Sequence, residues 1–153
     1  MADRDSSSRF TESAFGPPLI GALLRMPWEQ VQRRMLQRLH EQGFDDLDTA
    51  HLHVFQYPGP QGARPSELAN RLGISKQALN YLLGQLERLG YLGRRADPDD
   101  LRSRRVVLTA RGEAAIHVIR RAVGEVEAEW THQLGARRFD QLRSLLLQIN
   151  RSA

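Results

Sequence analysis

Two short helical segments joined at Gly73 dominate the middle of this sequence. Pro65 is suited to the first turn of a helix, and Gly73 is suited to the position that caps the end of one. A second helix begins at Ser75, a preferred N-cap residue, and its leucines recur at intervals of three and four up to Leu89. Because a short glycine-containing turn lets two helices cross at a steep angle, this pattern predicts a helix-turn-helix, with Ile74 as the apolar anchor of the turn.

The second of these helices has one leucine-rich face and one polar face. The polar face carries hydrogen-bonding side chains: Ser75, Lys76, Gln77, Asn80 and Tyr81. Side chains of this kind read base edges or hold phosphates, and a helix N-terminus attracts phosphate. Gln77 and Asn80 are the preferred candidates for base edges, because an amide forms two hydrogen bonds with adenine. Two alternatives stay open: Asn80 is an ordinary exposed polar residue, and Tyr81 packs beneath the helix instead of contacting a phosphate or a thymine methyl group.

A basic hairpin is predicted after the second helix. Short strands are expected at residues 91–92 and 105–108, with a turn-rich, charged connection at 95–100. A hairpin beside a helix-turn-helix forms a wing that reaches the minor groove or flanking phosphates, and arginine suits a narrow, electronegative minor groove. Arg102 is predicted at the wing tip, with Asp100 fixing its orientation. The predicted phosphate contacts are Arg94, Arg95 and Arg104.

The basic residues are unevenly distributed along the chain. The sequence has 21 arginines and a single lysine, Lys76, and a formal net charge of +4. Residues 64–111 carry ten basic side chains against five acidic ones, so this third of the chain holds all of the positive excess. A local basic footprint indicates a polyanion as partner. By charge alone, a solvated basic surface explains it equally well, and a bias toward arginine also follows from genome base composition.

The N-terminal part of the chain is predicted to be a disordered arm followed by helix. Residues 1–15 are polar and serine-rich, which predicts disorder. A short apolar run at 19–24 precedes a helix predicted over 27–42, in which Pro27 occupies the first turn and an apolar stripe recurs at intervals of three and four.

Further helices are predicted on both sides of the helix-turn-helix. One is capped by Asp48 or Thr49 and ends near Tyr57, where prolines follow. After the hairpin, an apolar stripe from Ala110 predicts a helix of about 25 residues, long for so small a protein. A final helix is predicted over 136–150.

The central part of the sequence resembles the MarR-type (multiple antibiotic resistance regulator) winged helix-turn-helix transcriptional regulators. The segments that carry the resemblance are PSELA at 65–69, LGIS at 72–75, LERLGYL at 86–92, DPDDLR at 97–102, VVLT at 106–109 and then Gly112. The chain departs from the family's wing pattern at Leu101, where an arginine commonly follows the aspartate. That departure keeps Asp100 and Arg102 and removes one expected phosphate contact. The helical flanks agree with the family in pattern and length.

The resemblance implies a mainly α fold with a small β-hairpin wing, in which N- and C-terminal helices form a homodimer. It divides the chain into the arm 1–15, a dimerisation region of 16–46 and 111–153, and a DNA-binding domain of 47–110. The apolar stripes on the flanking helices agree, since they exceed what one small winged helix covers. Two recognition helices would then contact a pseudo-palindromic operator about one turn of double-stranded DNA apart, ~34 Å.

The resemblance also implies a repressor that small aromatic or phenolic ligands release from DNA. The candidate ligand-binding residues are Trp28, His51 and Phe55. The alternative for Trp28 and Phe55 is an ordinary role in the hydrophobic core. A winged-helix module that binds a protein, without specific DNA binding, is the alternative function.

Several classes of chemistry have no support in the sequence. The absence of cysteine excludes disulfides, thiolate ligands and thiol switches. The five histidines lack metal-ligand spacing, and Asp97, Asp99 and Asp100 are better explained by a tight turn than by a metal or acid–base site. No hydrolase or phosphate-loop motif is present, so we expect neither an enzyme nor a cofactor. The polar first residues and the lack of long apolar runs predict a cytoplasmic protein without membrane contact.

Overall fold

The computed structural model describes residues 16–55, 59, 61–100 and 102–151. The predicted arm at 1–15, the predicted helix end near Tyr57 and the wing position Leu101 lie outside the described residues. The described elements, in chain order, are α1 (Ile20–Glu41), α2 (Thr49–Phe55), α3 (Pro65–Leu72), α4 (Lys76–Arg88), β1 (Leu92–Ala96), β2 (Arg104–Leu108), α5 (Ala110–Leu134) and α6 (Ala136–Arg151). The mainly helical fold with a small hairpin confirms the predicted fold class.

The helix-turn-helix forms where its local signals predict it. Pro65 is the first residue of α3, and Gly73 follows its end with a φ of +62°, in the left-handed region that favours glycine. The Ser75 hydroxyl accepts a hydrogen bond from the Ala78 N–H at 3.1 Å, which caps α4. These boundaries depend on contacts within a few residues, which is why the sequence predicts them.

Helix α1 is continuous through Pro27, whereas the sequence predicted a separate helix that starts there. Proline at this position removes one backbone donor from the helix interior. The helix continues because Val31, Met35 and Leu39 lie on one face and are buried, and α1 packs along much of α5. Packing against another helix thus outweighs the local preference of a single residue.

Strand β1 extends further than predicted, from Leu92 to Ala96. It pairs antiparallel with β2 in a register that places Leu92 opposite Leu108 and Ala96 opposite Arg104. Because pairing with β2 supplies backbone partners along the whole strand, β1 continues through two charged residues that the sequence placed in or near the turn. Ala63 forms one further bridge with the hairpin, since its N–H donates to the Val106 carbonyl at 3.0 Å.

The hydrophobic core lies where the winged helix meets α1 and α5. It contains Met35 and Leu39 from α1, Leu83 and Leu86 from α4, and Val126 from α5, all with at most 1% exposure. Helix α5 has the 25 residues that the apolar stripe predicted. None of the described helices is both long and apolar enough to cross a membrane.

Two apolar surfaces remain exposed at the ends of the molecule. On α1 and just before it, Leu19 is 81% exposed and Ile20 70%. On α6, the exposed apolar residues are Leu142, Leu145, Leu146, Leu147 and Ile149. Both surfaces fall within the regions expected to form a dimer.

Candidate nucleic-acid interface

All five predicted recognition residues lie on the exposed face of α4. Ser75, Lys76, Gln77 and Asn80 are exposed, while Leu79 and Leu83 on the opposite face are buried. This separation follows from the 3.6-residue period of the helix, which turns every third or fourth side chain to the same side. The polar face is therefore accessible to a large ligand such as a nucleic acid.

Tyr81 projects from the same face. Its side chain is among the exposed large apolar groups, with 66% exposure, and its hydroxyl accepts a hydrogen bond from the Gln85 Nε2 at 3.3 Å. The ring therefore does not pack beneath the helix. It stands at the surface, supported by a neighbour one turn along α4.

A shallow depression joins the first turn of α3 to the start of α4. Its lining residues are Pro65, Ser66, Lys76, Leu79 and Asn80. Lys76 thus lines the same depression as Pro65 and Ser66 at the N-terminal end of α3. A phosphate there would meet a cation together with the positive end of a helix dipole.

The two arginines of β1, Arg94 and Arg95, form hydrogen bonds with other residues of the chain. The Arg94 Nε donates to Glu87 at 2.8 Å, which links β1 to the last turn of α4. The Arg95 guanidinium donates a long hydrogen bond of 3.4 Å to the Gln61 carbonyl and has no ion pair with any described residue. Arg94 is thus engaged in holding the wing to α4, whereas the charge of Arg95 stays uncompensated.

The wing tip presents Arg102 and Arg104 to solvent. Both residues are exposed, and neither forms an ion pair with the residues that the structure describes. The Asp100 carboxylate accepts from the Arg102 backbone N–H at 3.1 Å, and the Asp100 carbonyl accepts from the Ser103 N–H at 2.9 Å. Asp100 therefore contacts Arg102 through the Arg102 backbone, and it shapes the turn that carries this arginine.

The carboxylate that braces the wing is Asp97, which sequence reasoning treated only as a turn residue. Its side chain is fully buried, and Oδ2 accepts from the Arg64 Nε at 2.6 Å. Arg105 lies on the other side, with Nε 3.2 Å from Oδ1, and the Asp99 N–H donates to Oδ1 at 3.0 Å. The Arg64 hydrogen bond, which outweighs the cost of burial, holds the pKa of Asp97 well below its usual range.

The signal for this cluster was weak in the sequence. Arg64 is 33 positions from Asp97, so no local pattern joins them. Strand alternation turns neighbouring residues to opposite sides, and the structure leaves Arg105 half-buried while Arg104 is exposed. This alternation is the hint that the sequence offers for the inward position of Arg105.

The ten basic residues of the segment 64–111 divide into two sets. Four form ion pairs inside the protein: Arg64, Arg94, Arg105 and Arg111. Six are exposed and have no ion pair within the described part of the chain: Arg71, Lys76, Arg88, Arg95, Arg102 and Arg104. The second set lies on α4, which carries the polar recognition face, and on α3 and the hairpin, which pack against α4.

The three candidate ligand residues have different surroundings in the structure. Phe55 is core, with its ring edge-on to Tyr91 at a centroid distance of 5.5 Å. His51 is buried, and its Nδ1 lies 3.1 Å from the Asp48 backbone nitrogen. Trp28 faces His53 instead, at a centroid distance of 6.4 Å.

A cavity of about 210 Å³ lies beside that histidine, between α2 and the α3–α4 turn. Its lining residues are Ala50, His53, Leu72, Ile74 and Leu82. Nothing in the sequence singles out His53 from His51, because residues two apart on a helix point to different sides and only the packing shows which side borders a cavity.

The acidic residues of the wing serve its turn. The Asp99 N–H and the Ser103 hydroxyl both donate to Asp97, while Asp100 accepts from the backbone of the turn. Over the ranges that the structure covers, no three histidine, aspartate or glutamate side chains gather in a group that could hold a metal ion.

The chain is similar to transcriptional regulators of the MarR family. Residues 46–103 match the family model described as the MarR family. The chain is 28% identical to the transcriptional regulator Tm0710 from Thermotoga maritima (TM-score 0.60), covering 87% of this chain and 95% of that one. It is 26% identical to wild-type MarR from E. coli in its apo form (TM-score 0.65), covering 86% and 96%. It also shares its fold with CouR from Rhodococcus jostii RHA1 bound to p-coumaroyl-CoA (21% identity, TM-score 0.67), covering 85% and 90%.

Proposed function

Because this chain is a MarR-type winged-helix regulator, we propose that it represses transcription by binding a pseudo-palindromic DNA operator as a homodimer. A small aromatic or phenolic ligand releases it from the operator. The observation that carries the DNA-binding part is the proximity of two sets of side chains. The exposed polar face lies on α4, and the six cations without an ion pair among the described residues lie on α4 and on the two elements that pack against it, α3 and the hairpin.

Helix α4 enters the major groove in this proposal. Gln77 and Asn80 contact base edges, because an amide can donate to one atom of adenine and accept from another. Ser75 is occupied as the N-cap, so it contributes through the first turn of the helix. Lys76 contacts a phosphate, and Tyr81 contacts a phosphate or a thymine methyl group from its exposed position.

The wing supplies contacts outside the major groove. Arg102 and Arg104 reach the minor groove or its phosphates, since both are exposed and unpaired among the described residues. Arg95 contacts a phosphate from β1. Arg94 supports the wing through Glu87, and Asp100 shapes the tip.

Dimerisation covers the exposed apolar ends of the molecule. The regions 16–46 and 111–153 form the dimer, and 47–110 forms the DNA-binding domain. Leucines with 38–58% exposure on α6, such as Leu142 and Leu145, favour burial against a second copy. Sedimentation is expected to give twice the 17.4 kDa mass of one chain.

The effector part of the proposal rests on the cavity beside His53. Its volume is below the ~300–1,000 Å³ of drug-sized pockets, so one chain accommodates little more than a single aromatic ring. Apolar lining residues with one histidine suit an aromatic acid, whose carboxylate can accept a hydrogen bond from the imidazole. The cavity touches the α3–α4 turn, so a bound ligand bears directly on the helix that contacts DNA.

The central experiment selects bound sequences from random duplex DNA and then measures affinity for the selected repeat and for a shuffled duplex. We expect a clear preference for an inverted repeat. Asn80→Ala should weaken binding by roughly 5–100-fold, the scale of one bidentate base contact. Gln42→Ala removes an exposed amide at the far end of α1 and should leave binding unchanged.

Two outcomes would count against the proposal. Equal affinity for selected and shuffled DNA would remove sequence specificity. No binding to any duplex at low salt, together with capture of a protein partner that charge reversal of Arg102 abolishes, would favour the protein-binding module.

A further inference from the structure

We propose that Asp97 is a positioning residue for DNA binding, which clamps the wing against the first turn of α3 and thereby fixes the wing relative to α4. The inference rests on the proposed DNA-binding function and adds a residue that does not touch DNA itself.

One buried carboxylate joins three separate segments. Asp97 follows the end of β1, Arg64 precedes α3, and Arg105 lies on β2. The contact of Asp97 with Arg64, at 2.6 Å, is shorter than its contact with Arg105, at 3.2 Å. The Arg64 contact joins the hairpin to α3, whereas the Arg105 contact lies within the hairpin. The β1–β2 ladder is made by the backbone, and Asp97 adds contacts with Asp99 and Ser103 in the turn that joins the two strands.

The Arg64–Asp97 ion pair lies next to a backbone contact between Ala63 and β2. The Ala63 N–H donates to the Val106 carbonyl at 3.0 Å, and the Val106 N–H donates to the Ala63 carbonyl at 2.8 Å. These bonds and the Arg94–Glu87 ion pair hold the hairpin at one level, because Arg94 and Val106 lie opposite each other in the two strands. The adjacent Arg64–Asp97 pair supplies a second point of attachment between α3 and the wing.

The clamp is close to the cations that the wing presents. Arg104 is the neighbour of Arg105, and the Ser103 hydroxyl lies 3.4 Å from the Asp97 carboxylate. Arg102 and Arg104 have no ion pair of their own with the described residues. The Arg94–Glu87 ion pair holds the hairpin to α4 farther from the tip. At the base of the turn that carries Arg102 and Arg104, the attachment to α3 is made by Asp97.

An effect of charge alone and an effect on wing position predict opposite changes in DNA affinity for Asp97→Asn. Asp97→Asn removes a negative charge beside a DNA-binding surface, and by charge alone this should strengthen binding. If Asp97 positions the wing, the same substitution weakens binding, because an uncharged amide with one accepting oxygen cannot form ion pairs with both arginines.

The experiment compares Asp97→Asn with Asp99→Asn in full-length protein. Asp99 has 75% side-chain exposure and only a 3.5 Å contact with Arg105, so it matches the charge change without the clamp. We expect Asp97→Asn to bind the selected operator about tenfold more weakly, with a salt slope lower by about one to two units, since each phosphate contact contributes ~0.9. Asp99→Asn should bind as tightly as the unchanged protein or more tightly.

Hydroxyl-radical footprinting separates positioning from loss of fold. With Asp97→Asn, protection of the flanking minor groove should be lost while the central protection by α4 remains. Arg64→Lys serves as a second variant in case Asp97→Asn fails to fold. It keeps the net charge and removes the Nε donor, so it should also reduce protection of the flanking minor groove.

Unchanged or tighter binding by both Asp97→Asn and Arg64→Lys, with an intact flanking footprint, would overturn the inference. Absence of DNA binding by the unchanged protein would instead reject the proposed function. The two failures are therefore distinguishable.

Discussion

Replacing Gly112 with alanine is expected to destabilise this protein, although alanine is the better helix former. Gly112 lies in the first turn of α5, where its N–H donates to the Thr109 hydroxyl at 3.1 Å. A Cβ atom there would lie 2.2 Å from the Tyr91 carbonyl oxygen and 3.1 Å from Leu108 Cδ2. The first distance is far inside van der Waals contact, so the backbone of one segment must move.

The Tyr91 carbonyl is poorly able to retreat. It accepts from the Thr109 N–H at 3.0 Å, and the Tyr91 side chain is fully buried with its hydroxyl donating to Asp46. Overpacking costs about 1–3 kcal/mol, and a weakened backbone hydrogen bond adds about 1 kcal/mol. Helix propensity returns about 1 kcal/mol, so the net loss in the free energy of unfolding is about 1–3 kcal/mol.

Urea unfolding at a fixed protein concentration measures this loss, with Gly124→Ala as the matched control. Gly124 lies in the same helix, and a Cβ atom there meets nothing within 4 Å. The control should therefore gain up to about 1 kcal/mol from helix propensity. If Gly112→Ala proves as stable as the unchanged protein, the close approach of α5 to Tyr91 does not constrain the fold and the reasoning is wrong.

Three further outcomes are expected. Arg104→Ala should lower the slope of log affinity against log salt by about 0.9, whereas Arg94→Ala, whose guanidinium is paired with Glu87, should lower it less; equal slopes would contradict the division of the cations. Tyr91→Phe should cost about 1–3 kcal/mol in thermal or urea unfolding, because it removes a buried donor to a carboxylate; no loss would show that this bond contributes nothing. Because the pKa of Asp97 is lowered by folding, its stabilising contribution is present above its ordinary value of 3.8 and is lost as the pH falls through the folded value; Asp97→Asn should therefore show a shallower loss of stability below about pH 4 in acid titration, and an unchanged slope would argue against the ion cluster.

The sequence predicted the parts of the fold that local chemistry decides. Pro65, Gly73 and Ser75 fix the ends of α3 and α4 through backbone geometry and hydrogen bonds that reach only a few residues. The period of the leucines likewise predicts which side of α4 is buried and which is exposed. The candidate recognition residues were available from the sequence for this reason.

Elements that depend on packing were predicted less well. Pro27 indicated a helix start, yet α1 continues through it because one face packs on α5. Strand β1 was predicted to be short because a turn-rich, charged connection was expected at 95–100, yet pairing with β2 carries the strand to Ala96. In both cases a partner from elsewhere in the chain supplies the interactions that local sequence lacks.

The number and sign of the charges near the wing are properties of the sequence. Which of them face outward is decided by the tertiary structure, because an arginine is available to a phosphate only when no carboxylate holds it. Arg64 pairs with Asp97, which is 33 positions away in the sequence, and Arg94 of β1 pairs with Glu87 of α4. Ion pairing depends on distances of a few ångströms, and those distances are set by how the segments cross.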